Sequence, residues 1–64
     1  MLDINSLVNK KLAKSRLKLS HLGIDFQTIY PFEEAKKAKN GSLILVTDGK
    51  KILKVEEYKN ESKI

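Results

Sequence analysis

Lys10, Lys14 and Lys18 recur at four-residue intervals in a stretch that also carries Lys11, Arg16 and His21. Residues four apart share one flank of an α-helix, so this spacing stacks ammonium groups into a stripe. Such a stripe suits a polyanion, because each lysine that neutralises a phosphate releases a counterion and makes affinity fall with salt. The same lysines can equally be the solvated face of an amphipathic helix. A second group, Lys50, Lys51 and Lys54, follows Asp48-Gly49, where a tight turn would raise them as a wing toward phosphates. The candidate nucleic-acid-binding residues are therefore Lys10, Lys11, Lys14, Arg16, Lys18, Lys50, Lys51 and Lys54. Arg16 is the only arginine, which argues against bidentate recognition of guanine. Phe26, Tyr30, Phe32 and Tyr58 are the only aromatics, too few for a stacking platform once two of them enter the core. Non-specific or shape-based contact is what this composition supports.

Residues for catalysis are sparse. His21, the only histidine, follows Ser20, but adjacent helical residues point about 100° apart and cannot pair as nucleophile and base. There is no cysteine, so neither a zinc site nor a disulfide framework is expected. Asp48-Gly49-Lys50 and Glu57-Tyr58-Lys59 match the acid-x-Lys half of a metal-dependent nuclease pattern. In a chain that is 33% charged this match arises by chance, and the pattern would need a further strand-borne carboxylate, for which Asp25 is the one candidate. Gly23, Gly41 and Gly49 are isolated and build no phosphate loop. No catalytic residue, metal, cofactor or small-molecule substrate is expected.

Sixty-four residues form one domain, and a domain this small buries only about 60% of the surface exposed by its unfolded chain. With no disulfide or metal to staple it, the core must hold by itself or with a partner. The net charge of +5 biases the surface toward acidic partners. Neither an apolar run long enough for a membrane span nor a signal-peptide pattern is visible, which gives a cytoplasmic reading. The abundance of Lys, Ile and Asn is what AT-rich coding produces, as in a low-GC bacterium, its phage or an archaeal virus.

The elements that must position the lysines follow from periodicity. Asp3, Asn5 and Ser6 offer N-cap side chains, and Ile4, Leu7, Val8, Leu12, Ser15, Leu19 and Leu22 fall on one arc. This predicts a long amphipathic helix from about Asp3 to Ser20, stopped by Gly23, with Leu17 left off the apolar arc. Ile24 to Tyr30 reads as a strand, and Pro31 to Lys39 as a short helix with a thin apolar side of Phe32, Ala35 and Ala38. Ser42 to Thr47 and Lys50 to Tyr58 read as a hairpin around a two-residue Asp48-Gly49 loop. That loop would set Leu45 against Ile52 and Ile44 against Leu53. One face would then hold Ile44, Val46, Leu53 and Val55, and the other Leu43, Leu45 and Ile52. A hairpin apolar on both faces needs cover on both. Residues 59–64 read as a polar tail.

The expected fold is α+β in the order αβαββ: long N-terminal helix, strand, short helix and C-terminal hairpin. Its small sheet, of two or three strands, is covered by helix. A parallel first strand would make that sheet mixed. The expected function is that of a basic, non-enzymatic protein contacting DNA or RNA phosphates as a regulatory or accessory factor. The alternative is a protein–protein interaction module, an inhibitor or adaptor that binds by its helix face or by strand addition, with the lysines only a solvated surface. The two-faced hairpin and the stray Leu17 also leave room for a homodimer. A membrane partner fits poorly: the basic helix lacks Trp and Phe, and its apolar arc is needed for the sheet.

Overall fold

Asp3 accepts the Asn5 N–H on its carboxylate at 3.0 Å, which caps a single 3-10 turn over Ile4–Leu7. The computed structural model describes residues 3–59. The long helix expected from Asp3 to Ser20 does not form as one piece. Asn9 adopts a left-handed φ of 70°, a conformation that Asn tolerates better than most side chains, and this turns the chain outward into an extended stretch. Helix α1 then runs over Leu12–His21. Its end matches expectation: Gly23 takes φ 71°, its N–H donates to the Ser20 carbonyl, and the Ile24 N–H donates to that of Leu19. These are the two bonds of a Schellman cap.

Three strands follow, β1 (Phe26–Ile29), β2 (Leu43–Thr47) and β3 (Ile52–Glu57), in spatial order β1-β2-β3. β1 pairs parallel to β2, and β2 antiparallel to β3, so the sheet is mixed as expected. The hairpin loop is longer than two residues. Thr47 pairs with Ile52, Leu45 with Val55 and Ile44 with Glu56, and the register slips between Val46 and Thr47. The cause is local. Asp48 accepts the amides of Lys50 (2.9 Å) and Lys51 (3.0 Å) on one carboxylate oxygen. The Thr47 hydroxyl accepts the Gly49 N–H at 3.0 Å and donates to the Lys51 carbonyl at 2.6 Å. These side-chain bonds satisfy a wider loop, and the irregularity lets Ile52 and Val55, three residues apart, both point inward. The expected facing of Leu53 with Val55 is thereby replaced: Val55 joins Leu43, Leu45 and Ile52 in the core, and Leu53 stays exposed.

That core is closed on one side of the sheet by Leu7 and Leu19, with Ile4, Val8, Leu12, Ile24 and Phe26 packed around them. The second side carries Gln27, Ile29, Ile44 and Val46, of which Ile29 and Ile44 are buried. Gln27 on this side is bonded to Lys36 in the connection between the parallel strands, yet the helix expected over Pro31 to Lys39 is absent. Tyr30 to Glu33 form a turn, with the Glu33 N–H donating to the Tyr30 carbonyl at 2.9 Å and the Glu33 carboxylate accepting the Tyr30 N–H at 2.7 Å. Residues 34–39 have no regular secondary structure. Gln27 gives the physical reason. Its side-chain amide donates to the Lys36 carbonyl and accepts the Lys36 N–H, both at 2.8 Å, occupying the backbone groups a helix would use itself. A nine-residue helix with three apolar side chains cannot outcompete that, because nucleation is costly. Ser42 anchors the far end by donating its hydroxyl to the Lys39 carbonyl at 2.8 Å.

Among the described residues no helix is long and apolar enough to cross a membrane. Of the expected tail over 59–64, only Lys59 lies within the described residues.

Candidate nucleic-acid interface

The extended stretch after Asn9 is what gathers the basic residues. It lies antiparallel to the start of β3: the Asn9 N–H donates to the Ile52 carbonyl at 2.7 Å, the Ile52 N–H to Lys10 at 2.9 Å, and the Leu12 N–H to Lys50 at 2.9 Å. Lys11 and Lys51 face each other across this short ladder. Two lysine pairs remote in sequence, Lys10-Lys11 and Lys50-Lys51, therefore share one corner of the molecule. Like charges directly opposite one another on paired strands are destabilising. The corner exists because backbone bonds and the burial of Leu7 and Ile52 beside it outweigh that repulsion.

From this corner Lys14 and Lys18 continue along one flank of α1. Lys10, Lys11, Lys14 and Lys18 line an open groove of about 580 Å³, together with Ser6, Leu7, Asn9 and Ser15. Six of the eight expected residues thus belong to one continuous basic region, and all six are exposed. Among the described residues none of the six forms an ion pair with a carboxylate, the Lys54–Glu56 pair being the one present. Asp48 is the acid closest in the chain to Lys50 and Lys51. Its carboxyl is held below its usual value of 3.8, first by the Lys51 backbone N–H and then by that of Lys50.

Two expected residues fall elsewhere. Arg16 lies on the opposite flank of α1, where it lines a shallow depression of about 420 Å³ with Ala13, Leu17, Ser20 and Phe26. Lys54 pairs across the sheet with Val46, hence on the side that carries Ile44 and Val46, and its ammonium reaches Glu56 at 3.2 Å. The slipped register explains this: with a two-residue loop Lys54 would have shared a face with Ile52. Ser6, Asn9 and Ser15 were not expected in the site. Ser15 carried one signal, a hydroxyl placed on an otherwise apolar helical arc.

The two acid-x-Lys motifs lie at opposite ends of the sheet. Glu57 pairs with Leu43 at the end where the Asp25 backbone carbonyl accepts the Leu43 N–H at 2.9 Å, whereas Asp48 follows Thr47 at the other end. His21 is exposed at the last turn of α1, where the dipole favours a cation. Among the described residues no group of three or more His, Cys, Asp or Glu is placed to hold a metal ion.

The two sheet edges differ. Asn9 to Leu12 occupy the start of β3's outer edge. On β1, the Leu43 bond to Asp25 sets the phase of the ladder, so Gln27 and Ile29 face β2 while the backbone groups of Phe26 and Thr28 point outward. No protein-family model, curated protein or solved structure matches this chain.

Proposed function

We propose that this chain is a small, non-enzymatic cytoplasmic protein that contacts the phosphate backbone of DNA or RNA as a regulatory or accessory factor. Lys10, Lys11, Lys14, Lys18, Lys50 and Lys51 make the contact. The observation that carries this reading is the Lys11–Lys51 bridge, which joins the helix lysines and the loop lysines into one exposed region without paired carboxylates. A merely solvated surface has no need to bring like charges face to face, and doing so costs stability. Repulsion of this kind is relieved when a polyanion replaces the counterions. With Arg16 on the other flank, no arginine is available in this region for base-edge recognition, so contact is sequence-independent. Binding to random duplex DNA and random RNA at two salt concentrations tests the reading, and absence of binding to both at low salt would refute it.

A second reading is favoured by a separate observation. The open β1 edge runs beside the depression formed by Leu17 and Phe26, and Leu17 is 72% exposed. Strand addition there by a protein partner, or by a second copy, would cover both. Sedimentation across a concentration series, with and without Thr28→Pro to block the edge, separates a self-associating protein from a monomer.

A further inference from the structure

The outer edge of β1 is open over a short, bounded length. Ile24 and Tyr30 share the outward phase of Phe26 and Thr28, but both are already bonded within the chain. The Ile24 N–H donates to the Leu19 carbonyl at 3.0 Å, and the Tyr30 N–H donates to the Glu33 carboxylate at 2.7 Å. Among the described residues this leaves the backbone groups of Phe26 and Thr28 open, one residue either side of Gln27. An open strand edge is a template for another strand. A second, independent feature lies around it. Of the large apolar residues that stay exposed, Leu17, Leu22, Tyr30 and Phe32 lie on α1 or just beyond the two ends of β1, and only Leu53 lies elsewhere. Leu17 joins two shallow depressions, one reaching Phe26 and the other, of about 430 Å³, lined with Lys18, His21 and Leu22. Apolar surface gathered along an open edge marks a place where another chain packs.

We infer that a second copy of this chain occupies the edge, β1 antiparallel to β1 about a two-fold axis at Gln27. In that register Phe26 of each copy stands opposite Thr28 of the other, and each pair exchanges both of its N–H···O bonds. An axis at Phe26 or at Thr28 would instead set an open residue against Ile24 or Tyr30, whose N–H groups are already taken. The aromatic and β-branched side chains opposed in this way are a favourable cross-strand pair. Charge points to the same occupant. Glu33 and Glu34 follow the C-terminal end of β1, whereas Lys18, His21 and the single acid Asp25 precede its N-terminal end. Antiparallel pairing sets these unlike ends together. It also brings the fully exposed Phe32 toward the Leu17 and Leu22 depression of the other copy, since Phe32 and Leu22 stand equally far from Gln27 on its two sides. The contact is isologous and closes at two chains, with both α1 helices on one face of a continuous sheet. With so short an edge it falls below the standard interface of about 1,600 Å², which makes the dimer weak and reversible. This inference rests on the reading of the β1 edge as a strand-addition site and names its occupant and register.

Sedimentation equilibrium of the full chain from about 10 μM to about 1 mM tests this, with amide hydrogen exchange followed at both ends of the range. A monomer–dimer equilibrium without larger species is expected, and the Phe26 and Thr28 amides should exchange more slowly as concentration rises. Thr28→Pro removes one of the exchanged N–H groups and should abolish the dimer. Phe32→Ser, at a fully exposed position that leaves the monomer fold intact, should raise the dimer dissociation constant by about tenfold, the worth of burying one large apolar side chain. A chain that stays monomeric throughout overturns the second copy as occupant and leaves the edge to a strand of another protein. A dimer whose Phe26 and Thr28 amides gain no protection, or one unchanged in both variants, lies elsewhere on the surface and refutes the edge reading as well. Growth into open-ended oligomers would overturn the two-fold register.

Discussion

Neutralising Lys11 and Lys51 together, as Lys11→Gln/Lys51→Gln, isolates the contribution of the bridge. The two residues are joined through the backbone and both side chains are exposed, so the substitutions leave the fold intact and remove a repulsion. Each phosphate neutralised on a duplex adds about −0.9 to the slope of log affinity against log salt. Six lysines in the region therefore set a limiting slope of about −5 for the unaltered chain, and about −3.5 after the double substitution. At ~0.1 M salt each lost contact is worth close to eightfold, so affinity should fall by about sixtyfold. The control is Arg16→Gln/Lys54→Gln, which removes the same net charge from outside the region. The Debye length is about 10 Å at ~0.1 M salt, so that control should change the slope little. Fluorescence anisotropy with a labelled random duplex, read between low and moderate salt, gives both slopes. Equal slopes for the two double variants would show that net charge alone drives binding, and the reasoning from the bridge would then be wrong.

Other expectations concern the scaffold. Gln27→Ala removes both bonds to the Lys36 backbone and should cost about 1–3 kcal/mol, lowering the thermal midpoint by roughly 5–15 °C in a domain this small. Hydrogen exchange at the Lys36 amide should quicken in the same variant, and an unchanged rate would count against the pinning role. Leu45→Ala, at a fully buried position, should cost about 2–5 kcal/mol, a large share of a whole stability of roughly 3–10 kcal/mol for a chain this short, so denaturant unfolding followed by circular dichroism should show a much lower midpoint than in the unaltered chain. Leu17→Ser and Phe32→Ser, at positions 72% and 100% exposed, should shift stability by no more than about 0.5 kcal/mol in denaturant titrations. Asp48 has a lower pKa folded than unfolded, so its contribution is complete above its ordinary value of 3.8 and is lost as pH falls through the lower folded value. Stability measured from pH 5 to pH 2, conditions chosen to span about that range, should lose this acid-sensitive component in Asp48→Ala.

Much of the architecture was legible because it depends on local chemistry. Gly23 stops α1, Ile24 to Tyr30 contains a strand, and the mixed three-stranded sheet follows from two apolar strand runs after it. The errors have a common origin, namely side chains that satisfy backbone groups far from where propensity would place them. Gln27 captured Lys36 and dissolved the expected second helix. Asp48 and Thr47 captured the loop amides and moved the register of β3. Asn9 broke the first helix because β3 offered backbone partners to the stretch that follows it. Hydrophobic periodicity could not reveal this break, since Leu7, Val8 and Leu12 remain packed on the core in either conformation.

The candidate site divides the same way. Composition and spacing by themselves determined that the chain is basic, that Lys14 and Lys18 lie on one helical flank, and that Lys50 and Lys51 stand beside a turn. These are properties of charge count and of the helical repeat, which need no partner to operate. Only the tertiary structure decided that Lys11 faces Lys51, that Lys54 and Arg16 lie elsewhere, and that Ser15 opens into the lysine groove. Each of these depends on which carbonyl an amide reaches after the chain has closed on itself. That choice is made by the competition among buried backbone groups for partners, a competition that no single stretch of the sequence contains.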